Sequence, residues 1–317
     1  MVTNPVKGYL FIATVVEEEL MRFGINTWAW AVPVDAGNLD GFLEWAGGLG
    51  VPGERPVIEV FASPDPNDLG FGRVIREKAG AYGFGVVACG FNPYMQGPGR
   101  ANPHLVSPDA QERRAAVART CGFVDFAAAV AVGDDPGILS GPWHTRHMHF
   151  TGVGLSAQER GWLVEGLGQI AARAESKGVY AGFEVLNRFE TYVLNTVDDA
   201  LDVIRETGNS RIGINWDASH AHIDEAEDVV SNLRKAVQSG HLFHVHFSEN
   251  HRGEYGTGQL GPKTRDMLNV LREADYRYAI VPELFCEGLD GAVHKWIRRE
   301  GDPTGAARRT MRFLVER

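Results

Sequence analysis

Apolar and polar positions alternate along this chain in blocks: short, nearly continuous apolar runs are separated by longer stretches whose apolar residues recur at helical spacing. From Met21 onward the runs predict strands at Phe23–Trp28, Val57–Phe61, Gly85–Phe91, Ala127–Val132, Val179–Leu186, Ile212–Trp216, Leu242–Phe247 and Ala279–Leu284. Helices are predicted between them, at Leu39–Ala46, at Phe71–Tyr82, and from a Ser107 cap with Pro108 at N1 to about Phe123. Ser156 and Glu159 form a capping box that opens a long helix with Leu163, Leu167, Ile170 and Ala174 on its apolar face. Thr196 with Asp199 opens the next helix, which ends at Gly208, and another covers Pro262–Ala274. The stretch Gly133–Gly154 reads as a long loop; its His144, His147 and His149 are read as surface residues.

Eight strands alternating with helices predict a parallel sheet, and eight is the number that closes one. The expected fold is therefore α/β, a (β/α)8 TIM barrel. An open dinucleotide-binding sheet would need Gly-x-Gly-x-x-Gly after its first strand, and that motif is missing there. Residues 21–317 read as a single barrel domain, with no linker or low-complexity stretch to divide them. Residues 1–20 are read as an N-terminal extension that need not belong to the native protein. Lys7 precedes an apolar run, Tyr9–Val16, but Glu17, Glu18 and Glu19 follow instead of a small-residue cleavage site, and the run is too short to span a membrane.

The bulk numbers exclude some functions. The chain has 317 residues, 44% of them hydrophobic and 23% charged, as in ordinary globular proteins. Its 41 acidic residues against 31 basic ones give a net charge of −10. That balance, without any Lys/Arg-rich run, argues against a nucleic-acid partner. Cys89, Cys121 and Cys286 are odd in number and far apart, which suits buried thiols in a reducing, cytoplasmic setting.

The chemistry gathers where strands end. In a barrel the strand C-termini converge on one mouth. The fifth predicted strand runs into Glu184 and Glu190, the sixth into Asp217 and His220, the seventh contains His244 and His246, and the eighth ends at Glu283. Several carboxylates buried together are costly unless a cation neutralises them. Glu184, Asp217, His246 and Glu283 are therefore read as ligands of one divalent metal. An oxygen-rich donor set with one imidazole and no thiolate suits Mn²⁺, Mg²⁺, Co²⁺ or Zn²⁺ and makes a structural zinc site a poor fit. His244, two residues from His246 on the same strand face, is read as a buried, hydrogen-bonded histidine. His220 lies close enough to Asp217 to touch substrate, and Arg252, in a glycine-rich loop, can bind a substrate oxygen or phosphate.

At these residues the chain resembles the D-tagatose 3-epimerase/D-psicose 3-epimerase family of the xylose-isomerase-like barrels. The likeness rests on Glu184-Val-Leu-Asn-Arg-Phe-Glu190, Asp217-x-x-His220, His244-x-His246, Glu249-Asn250-x-Arg252, Gly256-x-Gly258 and Glu283. It implies an isomerase in which Glu184 and Glu283 are both metal ligands and the acid/base pair, while Glu190, His220 and Arg252 hold substrate oxygens. It also implies a small sugar as substrate, no membrane partner, and a homo-oligomer, dimer or tetramer. Proton removal on one face of C3 and return on the other, through an enediolate, would epimerise a ketose. Trp30 and Trp143 are placed as walls of the sugar pocket. The first strand departs from the family's Tyr-x-x-x-Trp pattern, carrying Asn26 and Trp30 instead, so the choice among ketoses and ketose phosphates stays open.

Other classes compete. A lyase of the same superfamily, an inosose dehydratase or a C-glycoside-cleaving subunit, would share metal and base but expel a leaving group. A barrel DNA-repair endonuclease would want more histidine ligands and a basic surface. A non-catalytic metal-binding subunit would not need the full donor set.

Overall fold

The structure, a computed structural model, describes residues 21–30, 34–53, 55–91, 103–285 and 301–317. Residues 1–20, read from sequence as an extension, and Cys286 lie outside the described residues. Eight parallel strands close into a barrel in sequence order: β1 (Arg22–Asn26), β2 (Val57–Phe61), β3 (Gly85–Cys89), β4 (Gly137–Ser140), β5 (Val179–Glu184), β6 (Ile212–Asp217), β7 (Leu242–Phe247) and β8 (Ala279–Pro282). The helices are α1 (Thr27–Trp30), α2 (Leu39–Gly47), α3 (Leu69–Ala81), α4 (Ala110–Val130), α5 (Ala157–Lys177), α6 (Val197–Thr207), α7 (Ala218–Asp224), α8 (Val229–Gln238), α9 (Thr264–Glu273) and α10 (Pro303–Val315). Among the described residues no helix is long and apolar enough to cross a membrane.

Local signals set most boundaries. The Ser156 hydroxyl accepts from the Glu159 amide, and Glu159 accepts from the Ser156 amide, which opens α5; Gly178 closes it in the left-handed region at φ 67°. Thr196 caps α6 by accepting from the Asp199 amide, and Gly208 closes it. Two expectations are corrected. The helix after Ser107 is capped by Asp109, whose carboxylate accepts from the Gln111 amide; the Ser107 hydroxyl accepts from the Asp109 amide one step earlier. The apolar run Ala127–Val132 is no strand: its first four residues finish α4, and β4 is the short Gly137–Ser140, inside the stretch read as a loop.

Side-chain parity along the strands builds the interior. Outward residues such as Ile25, Ile58, Val60, Leu139, Phe183, Ile214, Val245 and Ile280 join the helices in the main core. Inside, an apolar floor of Val57, Val87, Ile138, Ala279 and Val281 closes the lower barrel. An aromatic cluster, Trp28, Phe91 and Phe285, covers the upper end. The ionisable belt lies between them. The pairing of β6 with β7 slips between Ile214 and Asn215, so that Ile214 faces Leu242 while Asn215 faces His244. The extra residue, Phe243, packs against Tyr180 and Tyr278. Gly213 makes room for it, because a Cβ there would stand 2.4 Å from the Phe243 ring and 2.1 Å from the His241 carbonyl oxygen.

Candidate active site

Glu184 ends β5, Asp217 ends β6, His246 is the fifth residue of β7, and Glu283 follows β8 directly. All four side chains are buried, and each offers a donor atom within 4.8 Å of the others. Strand register accounts for part of this: Asp217 pairs with His246, and His246 with Val281, two residues before Glu283. The set is three carboxylates and one imidazole, with no thiolate. Hard oxygen donors and one borderline nitrogen converging in a buried place fit a divalent cation of the Mn²⁺, Mg²⁺, Co²⁺ or Zn²⁺ type.

Each ligand candidate is held from behind. Asp217 caps α7: Oδ1 accepts from the His220 amide at 2.8 Å, while Oδ2 accepts from the Ser248 hydroxyl at 2.5 Å and from Arg252 Nη1 at 3.2 Å. The same Nη1 is hydrogen-bonded to Glu283. Nε2 of His220 lies 3.3 Å from Oε1 of Glu184, and its Nδ1 accepts from the Asn187 amide at 3.2 Å. His246 stands between two acidic sets: Nδ1 is 3.7 Å from Glu184 Oε1 and 4.0 Å from Glu283 Oε1, and Nε2 is 3.0 Å from Glu59 Oε2.

Charge separates the two glutamates. Burial pushes the Glu283 carboxyl up to about 7, against the opposing pull of Arg252 and His246. Burial acts on Glu184 as well, but hydrogen bonds and positive charge from His220 and His246 hold it below the ordinary carboxylate range. One mouth thus holds a carboxylate that stays ionised beside one that readily keeps a proton.

The loop after β7 is organised by Glu249, which is fully buried. Its Oε1 accepts from the amides of Gly256 (3.1 Å) and Gly261 (2.9 Å), and its Oε2 from that of Leu260 (3.0 Å). Arg252 leaves this loop in a left-handed backbone conformation, φ 57°, and lays its guanidinium over the Phe285 ring at 5.2 Å. Glu190 accepts from Asn187 Nδ2 at 3.0 Å and meets His147 Nε2 at 2.7 Å. Glu184, Glu190, His220, Arg252 and Glu283 line one narrow cavity at the mouth.

Trp30 and Trp143, expected as walls, are not among the residues lining this cavity. Trp30 packs against Phe42 and Trp45 on the outer side, and Trp143 is buried against Phe183 with Nε1 donating to the Gly182 carbonyl at 3.3 Å. Trp28, Phe91 and Phe285 supply the aromatic wall instead. His144 and His147, expected at the surface, are inside: His144 is fully buried and the His147 side chain is 5% exposed on the cavity wall. His149 remains partly exposed, stacked edge-on against His104.

Sequence reading missed Glu59. It is the third residue of β2, 1% exposed, and it accepts from the Ser140 hydroxyl while facing His244 Nε2 at 3.3 Å and His246 Nε2 at 3.0 Å. The signal was there in the strand Val-Ile-Glu-Val-Phe, where one carboxylate stands on the inward face of an otherwise apolar run. The opposite end of the barrel opens a larger hollow of about 700 Å³, lined by Arg22, Tyr180, Arg211 and Tyr278 among others. Among the described residues, both clusters with metal-ligating geometry belong to the belt above it.

Residues 55–317 match the model of the xylose isomerase-like TIM barrel family. The D-psicose 3-epimerase of Enterocloster bolteae is 35% identical over 127 residues, 40% of either chain. The ketose 3-epimerase of Arthrobacter globiformis is 32% identical over 166 residues, 52% of this chain and 54% of that one. The chain thus spans about half or less of the length of these two relatives. A solved L-ribulose 3-epimerase structure superposes with a TM-score of 0.79 at 23% identity, over 93% of this chain and 94% of that one, which is a likeness of fold.

Proposed function

The chain belongs to the xylose isomerase-like TIM barrel family, and from that premise we propose that it is a ketose or ketose-phosphate 3-epimerase that uses one divalent cation, Mn²⁺ foremost. The observation that carries this reading is the convergence of Glu184, Asp217, His246 and Glu283 within 4.8 Å at the barrel mouth, with two glutamates of unlike proton affinity among them. The names of similar proteins, D-psicose, ketose and L-ribulose 3-epimerases, support it.

These four residues would hold the cation. When bound, it polarises the substrate carbonyl and stabilises the negative charge that develops when the neighbouring C–H is broken. The chain's own groups do the proton transfer. Glu184, ionised, takes the C3 proton from one face of the sugar. The electron pair left behind delocalises into the C2 carbonyl, giving an enediolate. Glu283 delivers a proton to the opposite face of C3 and thereby inverts that centre; in the reverse direction the two exchange roles. Arg252, His220 and Glu190 hold substrate oxygens, and the Trp28–Phe91–Phe285 wall covers the apolar side of the sugar and excludes water.

The test incubates the Mn²⁺-loaded protein in D₂O with a panel of free and phosphorylated ketoses and reads the quenched, chelator-treated mixtures by NMR. Paired C3 epimers carrying deuterium at C3 are expected. Loss of a leaving group by β-elimination would make it a lyase instead, and inertness toward every ketose would remove the reading.

A further inference from the structure

We propose that Glu59 is a positioning residue for the cation site: it accepts the Nε2 proton of His246 and so turns the Nδ1 lone pair of that ring toward Glu184, Asp217 and Glu283. This rests on the reading of those residues as a cation site. The observation is the double-facing geometry of His246. Nε2 sits 3.0 and 3.3 Å from the two Glu59 oxygens, and Nδ1 sits 3.7 and 4.0 Å from Glu184 and Glu283.

A neutral imidazole carries one N–H and one lone pair. His246 can therefore give a lone pair to one side only. Glu59, His244 and His246 also lie close enough to hold a cation. A cation there would take the Nε2 lone pair and leave the Nδ1 proton facing the three carboxylates, so the two clusters exclude each other. The surroundings of Glu59 decide between them. Glu59 is acceptor-only when ionised, and it is already met by two donors, the Ser140 hydroxyl and His246 Nε2, with His244 Nε2 standing 3.3 Å from its Oε1. It is 1% exposed and is not among the residues lining the mouth cavity. The four-residue set has one more donor and opens on that cavity through Glu184 and Glu283. Glu59 therefore acts through His246, and a carboxylate behind a ligating imidazole fixes both its tautomer and its ring orientation. The His244 ring packs edge-on against His246 at 4.8 Å and 86°.

The test titrates Mn²⁺ calorimetrically into metal-free wild type, Glu59→Gln and Glu59→Ala, with far-UV circular dichroism as the check on folding. Glu59→Ala should bind Mn²⁺ about 10–100-fold more weakly. Glu59→Gln should fall between, because its amide oxygen still accepts from Nε2. Wild type loaded with diamagnetic Zn²⁺ should show His246 as the Nε2–H tautomer in long-range ¹H–¹⁵N imidazole spectra, its signals assigned by their loss in His246→Asn. Affinities within twofold of wild type in both variants, or an Nδ1–H tautomer in the loaded wild type, overturn the proposal and leave the cation site standing. Wild type that binds no cation overturns both. If Glu59→Ala does not fold, the Gln variant and the wild-type tautomer decide.

Discussion

Nε2 of His147 lies 2.7 Å from Oε2 of Glu190, and both side chains face the same cavity. Asn187 Nδ2 donates to the other Glu190 oxygen at 3.0 Å, and Phe91 meets the His147 ring edge-on at 5.3 Å. The carboxylate is thus held in one orientation, with Oε1 3.9 Å from His220 Nδ1 and 4.0 Å from Arg252 Nη2. If Glu190 holds a sugar hydroxyl, His147→Ala should loosen substrate more than it slows chemistry. The expected result is a KM raised about tenfold, a loss of roughly 1.4 kcal/mol, with kcat changed less. Steady-state kinetics on the best ketose of the panel measures both, and a KM within twofold of wild type would count against the role.

Glu184 and Glu283 are asked to move the proton, so each isosteric amide should be silent. Glu184→Gln and Glu283→Gln should each lower kcat by at least about 10²-fold, the lower range for a general acid or base, with far-UV circular dichroism unchanged. Both residues would also touch the cation, so turnover is compared at saturating Mn²⁺ with bound metal counted. Activity retained in both variants at full metal occupancy would sink the acid/base assignment.

The parts legible in sequence are those where chemistry and period coincide. Leu242–Phe247 was bounded correctly because an apolar run ends where the polar loop begins, and its two histidines share a parity. The convergence of Glu184, Asp217, His246 and Glu283 was readable because each lies at or beside the end of a strand, and strand ends share a mouth. The fourth strand was misplaced for a physical reason. Phe126–Val132 is apolar on every side and rich in alanine, so period cannot separate strand from helix, and the helical preference of alanine carries it into α4. Trp30 is placed at the pocket because it stands at the tryptophan position of the family's Tyr-x-x-x-Trp pattern. The backbone turns helical at Thr27, so two further residues rotate Trp30 to the side opposite Trp28, out toward Phe42 and Trp45. His147 lies in a stretch with no period, and its inward direction follows from packing that the sequence does not encode locally.

Arg252 is 4% exposed and ion-paired with both Asp217 and Glu283. Removing one partner of a buried pair costs about 3–5 kcal/mol, because charge is left without compensation. Metal-free Arg252→Met should therefore melt well below metal-free wild type. A divalent cation among the same carboxylates restores the missing positive charge, so Mn²⁺ should raise the Tm of Arg252→Met by more than it raises that of wild type, and a chelator should reverse the gain. Equal metal-induced shifts in the two proteins, read by scanning calorimetry, would show that guanidinium and cation do not share these carboxylates.

His144 gives a stability effect independent of catalysis. Its ring is fully buried, tilted against Phe183 at 4.9 Å, and among the described residues neither ring nitrogen has a hydrogen-bond partner. Burial holds its pKa down to about 3 from the ordinary 6.5, despite the attraction of Glu184. Below pH 6.5 the unfolded chain takes up a proton that the folded chain refuses, so stability falls as pH drops from 6.5 toward 3 and is unaffected by this group above 6.5. At pH 5 the loss amounts to about 2 kcal/mol, at 1.36 kcal/mol per pH unit below the unfolded value. His144→Phe keeps an aromatic ring against Phe183 and removes the titration. Relative to wild type, the variant should thus gain about 2 kcal/mol at pH 5 over its standing at pH 8. His104, also held down to about 4 by burial, is common to both proteins and cancels. Urea unfolding of the two proteins at pH 5 and pH 8 measures the difference, and a gap that does not change with pH would mean that His144 is already protonated in the fold.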